Sequence, residues 1–252
     1  NTYKKEEVHA ATLEYFGGDE LATNVWMTKY CLKDKEGGFV ERTPDDMHAR
    51  LADEFARIET KYQSSVTRDD IYNYLKDFQY IVPQGSPMYG VGNDYVNASL
   101  SNCVVVDMPA DNISSIIDAG KDLANLFKRR CGVGIYVSNL RPEGTPVNNS
   151  AGTTTGAWSF ADFYSYVCRM IGQNGRRGAL MISMDIRHPD IEKFVTMKQD
   201  LTKVTGANVS VRISDDFMEA VEADDEFVLR YPINGGTTPA YTKTIRRMTL
   251  VV

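Results

Sequence analysis

After about residue 80, short apolar runs rich in β-branched residues alternate with amphipathic stretches, and this alternation constrains the fold more than any other feature. The runs are Cys103 to Val106, Gly134 to Val137, Ala179 to Met184, Val209 to Ile213 and Phe227 to Leu229. Between them, over about 112–129, 156–171, 189–198 and 215–222, apolar residues recur at helical spacing. A strand returning parallel to its predecessor needs a crossover of a dozen or more residues, which a helix supplies. The expected class is α/β, a parallel sheet covered by helices. In such sheets the loops at the carboxyl ends of the strands carry the chemistry.

The first eighty or so residues read differently. Leu21, Ala22, Val25, Trp26 and Tyr30 predict a helix over about 19–30, closed by the turn Lys35-Glu36-Gly37-Gly38. Thr43-Pro44-Asp45-Asp46 supplies an N-cap, a proline at the first helical position and acids in the first turn. Met47, Leu51, Phe55 and Ile58 follow on one face, and a third helix opens at Thr67 with Ile71, Tyr72, Leu75 and Phe78. The reading is a helical domain over 1–82 and an α/β domain over 83–252.

The 252 residues are 42% hydrophobic and 25% charged, which excludes disorder. With 34 acidic and 28 basic side chains the net charge is −6, and no Lys/Arg run is present, so nucleic acid is not the expected partner. No apolar run approaches the roughly 20 residues of a membrane span, and the N-terminal segment has no apolar signal core. A cytoplasmic protein acting on a small molecule is expected, with no membrane partner. Cys31, Cys103, Cys131 and Cys168 form no CxxC pair, and His9, His48 and His188 have no ligand spacing, so no metal site is expected. The final Thr-Leu-Val-Val reads as an interrupted strand.

Three polar, glycine-bearing segments exceed the usual length of a connection: Val82 to Asn102, Ser138 to Thr155 and Gly172 to Gly178. Taken singly, the residues in and around them have plain explanations. Gly132-Val133-Gly134 precedes a strand and lacks a third glycine, so it is no dinucleotide fingerprint. Cys103 reads as a small core residue, Asp111 as an N-cap, and His188-Pro189-Asp190 as a helix start with proline at N1. Arg176-Arg177 between glycines suits a phosphate or a base face, or simple solvation.

The order of the motifs says more. Ser-Pro-Met and Leu-Ser-Asn-Cys-Val-Val-Val are followed by the Asp111 segment, then Arg-Arg-Cys-Gly-Val-Gly-Ile and Leu-Arg-Pro-Glu-Gly-Thr-Pro. Gln-Asn-Gly-Arg-Arg-Gly-Ala and His-Pro-Asp-Ile-Glu-Lys-Phe complete the series. This co-linear set resembles the catalytic large chain of ribonucleotide reductase, from about Leu21 onward. Lys29 to Asp34 and Glu41 to Pro44 look most like the adenosylcobalamin-dependent class.

The resemblance implies a helical domain followed by the first five-stranded parallel half of a ten-stranded α/β barrel. It implies thiyl-radical reduction of ribonucleotides, with Cys103 as one of two redox cysteines and Ser86, Asn102 and Gly132 at substrate-contacting positions. Asp111, Asn112 and Ile113 match the segment that holds a deoxynucleoside triphosphate effector, and Arg141 its phosphate-binding arginine. Gln173 and Arg176 fall in the loop that relays effector identity to the substrate site. Adenosylcobalamin, a reductant of thioredoxin or glutaredoxin type and an effector-linked homodimer are implied as cofactor and partners. The finger-loop cysteine is expected beyond the Lys243 to Arg247 motif, in the remaining half of the barrel, in cis or on another chain; the 252 residues alone are expected to be inactive. A second phosphate-binding cation near Asn148 is missing, which implies weaker effector phosphate binding or a substitute in Lys121, Lys128 or another group, and Cys31, Cys131 and Cys168 read as structural. A non-catalytic nucleotide-binding module, or a large subunit of the metal-dependent class, are the other readings; neither the choice of di- or triphosphate substrates nor the oligomeric state is legible.

Overall fold

The computed structural model describes residues 2–63, 65–171, 178–200, 202–234 and 241–245. The described residues divide into two compact units, one within 2–102 together with 129–131, and one of 103–128 together with 132–171 and those from 178 onward.

The first unit is helical: α1 (Lys5–Tyr15), α2 (Glu20–Lys29), α3 (Pro44–Glu59), α4 (Arg68–Leu75) and the short α5 (Gly85–Gly90). The capping signals act as read. Thr43 stands at the N-cap of α3 with Pro44 in its first turn, and its backbone N–H donates to Asp46. At α4 the exchange is reciprocal, Asp70 N–H to the Thr67 hydroxyl (3.1 Å) and Thr67 N–H to the Asp70 carboxylate (2.9 Å). Val8, Trp26, Met27, Met47, Leu51, Leu75, Met88 and Val91 form the core. Beside them lies a buried ion pair, Arg50 Nε to Glu41 Oε1 at 2.7 Å. Arg50 also donates to the carbonyls of Met88 (2.8 Å) and Val91, so one guanidinium ties α3 to α5.

The second unit is built on a four-stranded parallel sheet in the order β1 (Cys103–Val105), β2 (Gly132–Tyr136), β3 (Leu180–Asp185) and β4 (Asn208–Arg212). Cys103 is in register with Gly132, Gly134 with Met181, and Ser183 with Ser210. The crossovers run through α6 (Ile113–Phe127), α7 (Ala157–Met170) and α8 (Ile191–Thr196), and α9 (Asp215–Ala223) follows β4. Leu123, Phe127, Ile135, Tyr164, Ile182, Met184 and Phe194 are wholly buried between sheet and helices. Helix α6 packs on α7 through Gly120, where a Cβ would come within 2.8 Å of the Phe163 ring.

The fifth strand departs from expectation. Phe227–Tyr231 (β5) does not extend the parallel sheet; it pairs antiparallel with β6 (Tyr241–Ile245) in a separate two-stranded ribbon. Only nine residues separate β5 from β6, too few for the crossover that a parallel neighbour requires. No helix among the described residues is long and apolar enough to cross a membrane.

Candidate functional site

In the helical unit, Ser86 lies in the first turn of α5 rather than in a turn between elements. It is buried; its N–H donates to Asn102 Oδ1 at 2.7 Å and its hydroxyl to the carbonyl of Arg130 at 3.2 Å. Arg130 is held in turn by a bond to the Lys29 carbonyl (2.8 Å) and lies 3.8 Å from the Tyr89 ring centroid. Ser86, Asn102 and Arg130 are thus one hydrogen-bonded cluster, secured to α3 by Arg50 through α5. The Ser86 hydroxyl is already engaged, so a ligand contact there requires it to turn.

In the sheet unit, Cys103 opens β1 and is exposed, where spacing alone reads a core residue. It sits with Gly132 at the amino ends of the strands, opposite to the end where α/β sheets usually place their chemistry. Cys31, Cys131 and Cys168 are buried. Burial pushes the Cys31 thiol up to about 12 and Cys168 to about 11, which keeps both protonated and unreactive near neutrality.

At the carboxyl ends of β1 and β2 the sequence-derived effector residues meet. Asp111 is not the cap of α6. Asn112 is, its side chain accepting from Ser115 N–H at 2.9 Å, because the helix begins one residue later than a capping Asp111 would require. Asp111 instead pairs with Arg141, Nε to Oδ2 at 2.6 Å, and accepts from the Arg141 backbone N–H at 3.2 Å. Both side chains keep solvent access, 32% exposed for Arg141 and 25% for Asp111. Ile113, in the first turn of α6, is exposed. Lys128 stands at the far end of that helix, about 24 Å from the cap at 1.5 Å per residue, too distant to serve the same ligand. Gln173 and Arg176 lie outside the described residues.

The loop carrying Arg141 is fastened by the His188-Pro189-Asp190 motif, which does start a helix: Asp190 is the N-cap residue of α8, so Pro189 stands just before the cap and not at N1, and the Asp190 side chain makes no capping bond within α8. Its carboxylate accepts from Glu143 N–H (3.1 and 3.2 Å) and Ala157 N–H (2.9 Å). Gly156 is required there: its φ is +89°, and a Cβ would lie 2.5 Å from Asp190 Oδ2. His188 donates from Nε2 to the Leu140 carbonyl at 2.8 Å, while its Nδ1 accepts from Asp190 N–H at 3.0 Å. Burial lowers the His188 pKa and raises that of Asp190, which favours a neutral ring. Tyr231, for which no local sequence signal exists, adds its hydroxyl to Asp111.

A cavity of about 460 Å³ opens between β1 and α6, lined in part by Asp107, Asp118 and Asp122. Three carboxylates repel a polyphosphate, so the arrangement favours anion capture at Arg141 and not there. Among the described residues no group of three or more His, Cys, Asp or Glu side chains is gathered to hold a metal ion.

An exposed thiol in register with a strand-opening glycine, and a solvent-accessible acid–arginine pair at the other end of the same parallel sheet, mark an α/β protein preceded by a helical unit. Two family descriptions match this chain: ribonucleotide reductase, all-alpha domain, over residues 16–90, and ribonucleotide reductase, barrel domain, over residues 101–249. The chain belongs to the ribonucleotide reductase family. It is 31% identical over 219 residues to the vitamin B12-dependent ribonucleoside-diphosphate reductase of Mycobacterium tuberculosis, covering 85% of this chain and 31% of that protein. To the protein of the same name from Thermoplasma acidophilum it is 27% identical, over 81% of this chain and 34% of that one. The ribonucleoside-diphosphate reductase large subunit of Caenorhabditis elegans is 27% identical over 65% of this chain and 21% of its own length. The chain spans about a third of the length of the B12-dependent relatives.

Proposed function

We propose that the chain supplies the effector-binding and substrate-binding parts, and one redox thiol, of a cytoplasmic ribonucleotide reductase that makes deoxyribonucleotides. The observation that carries this reading is the meeting of Asp111 and Arg141. They are thirty residues apart in the chain and in contact in the fold, and each matches an effector position of the family on separate sequence grounds. A carboxylate accepts a ribose hydroxyl and a guanidinium takes phosphate, so the pair offers both ends of a deoxynucleoside triphosphate a partner. Asn112 and Ile113 complete the effector segment, and the family resemblance assigns Gln173 and Arg176 the relay of effector identity.

Ser86, Asn102, Cys103 and Gly132 are the substrate-side positions, and all four fall in the half-barrel part (83–252) that follows the helical domain (1–82). The exposed Cys103 thiol joins a second thiol in a disulfide, releasing two protons and two electrons for reduction of the ribose, and a dithiol of thioredoxin or glutaredoxin type restores it. The second thiol and the radical cysteine come from the remaining half of the barrel, in cis or on another chain. Adenosylcobalamin would supply the organic radical when bound. An effector-linked homodimer accords with the exposed Ile113 and Ile117 on α6.

Reconstitution tests the reading. The 252 residues alone should reduce no nucleotide, and combination with the remainder of the barrel should give turnover that depends on adenosylcobalamin and is abolished by Cys103→Ser. Turnover by the 252 residues alone, or full activity of the Cys103→Ser protein, overturns it.

A further inference from the structure

Tyr231 ends β5, 120 residues from Asp111 in the chain, yet its hydroxyl lies 3.2 Å from Asp111 Oδ2 and 3.0 Å from the Asn139 carbonyl. A phenol has one proton to give, so the two acceptors share it. The surrounding backbone is fastened at nearly every residue: Asn139 by Tyr231, Leu140 by His188, Arg141 by Asp111 and Glu143 by Asp190. The His188 ring meets the Tyr231 ring edge-on, with centroids 6.0 Å apart, and both its nitrogens are occupied. The phenol is therefore braced from behind and aimed at Asp111. Burial, and then the Asp111 charge, push its pKa up to about 12, so it stays a donor across the neutral range.

We infer that Tyr231 is a positioning residue of the nucleotide site: its hydroxyl holds the Asp111 carboxylate ready for a ribose hydroxyl once ligand phosphate draws the Arg141 guanidinium away. This rests on the reading of Asp111 and Arg141 as the nucleotide pair. With no ligand, Arg141 Nε is the short partner of Asp111 Oδ2, at 2.6 Å. When the guanidinium turns to phosphate, that oxygen keeps Tyr231 as its donor. Without the hydroxyl the carboxylate swings, and the ribose loses an acceptor set in advance.

Calorimetric titration of the 252-residue chain with deoxythymidine triphosphate and with its 2',3'-dideoxy counterpart tests this. Tyr231→Phe should weaken the first by about tenfold, the loss of one hydrogen bond to a charged group, and leave the second unchanged, since it has no hydroxyl for Asp111. Asp111→Asn should show the same selective loss, and adding Tyr231→Phe to it should cost nothing more; this keeps the test alive if the single phenylalanine variant folds poorly. Equal weakening of both probes, no weakening of either, or additive losses in the double variant overturn the positioning role. A wild-type chain that binds neither probe overturns the nucleotide reading itself, and the inference with it.

Discussion

The two units each carry an acid–arginine pair, and the two pairs behave as different objects. In the helical unit Arg50 and Glu41 are 10% and 4% exposed, and every group around them is committed: Glu41 accepts from Leu32 N–H at 2.7 Å, and Arg50 holds two carbonyls. In the sheet unit Arg141 and Asp111 sit in the same chemical relation at 2.6 Å but stay about a third and a quarter exposed. A buried pair cannot exchange partners without leaving a bare charge in a low-dielectric interior. A half-exposed pair exchanges with water or a ligand at little cost. Accessibility, more than residue type, separates a structural pair from one able to bind.

The sharpest way to break that comparison is to remove one cation from each pair. Arg50→Ala leaves Glu41 buried, where desolvation already pushes its pKa up against the opposing pull of Arg50. The expected loss is about 3–5 kcal/mol, a large part of the roughly 5–15 kcal/mol available to a domain. Urea unfolding followed by Trp26 fluorescence in a Trp158→Phe background reads it from the helical unit alone. A loss below about 1 kcal/mol would mean that the pair is no more structural than a surface one.

Acidification sharpens the contrast next. His48 is fully buried against Phe78, and both of its ring nitrogens lack a hydrogen-bond partner. Burial lowers its pKa below the ordinary 6.5, opposed by Asp45 and Asp77. The folded state thus favours the neutral ring: its contribution to stability is whole above 6.5 and is lost as the pH falls from there through the lowered value. The Trp26-reported midpoint should fall between about pH 7.5 and about pH 5, and His48→Phe should flatten that dependence. A slope that survives the substitution assigns the effect elsewhere.

The smallest stability effect belongs to Arg141→Ala, expected at under about 1 kcal/mol because the pair is solvent-screened. The same variant should lose deoxynucleoside triphosphate binding by about 30-fold, the loss of charge-assisted contacts to phosphate. Thermal unfolding and calorimetry on one preparation check both halves.

Much of the architecture was legible because local chemistry enforces it. Thr43-Pro44-Asp45-Asp46 starts a helix wherever it stands, and runs such as Ala179 to Met184 have the length and β-branched content of a buried strand. Register at helix starts was harder. Asn112 and Asp111 are both good caps, and only the backbone chooses between them; Pro189 is compatible with a helix start yet precedes it. Phe227 to Leu229 has the pattern of a strand but no information about its neighbour, and the short link to β6 decided that. Of the site, Asp111 and Arg141 could be read from motif order, whereas Tyr231 and the Asp190 clasp could not. No spacing rule connects residues that lie 30 to 120 positions apart.

By itself, then, the sequence determined the element types, the helical-then-α/β order, the family and the residues on which to look for chemistry, because propensity, capping and hydrophobic period are short-range properties of the chain. Only the tertiary structure decided which of those residues meet, at which end of the sheet, and how exposed they are. Contact and desolvation depend on what other parts of the chain bring alongside: the Asp111–Arg141 pair is open to a ligand, and the Glu41–Arg50 pair closed to one, for that reason alone.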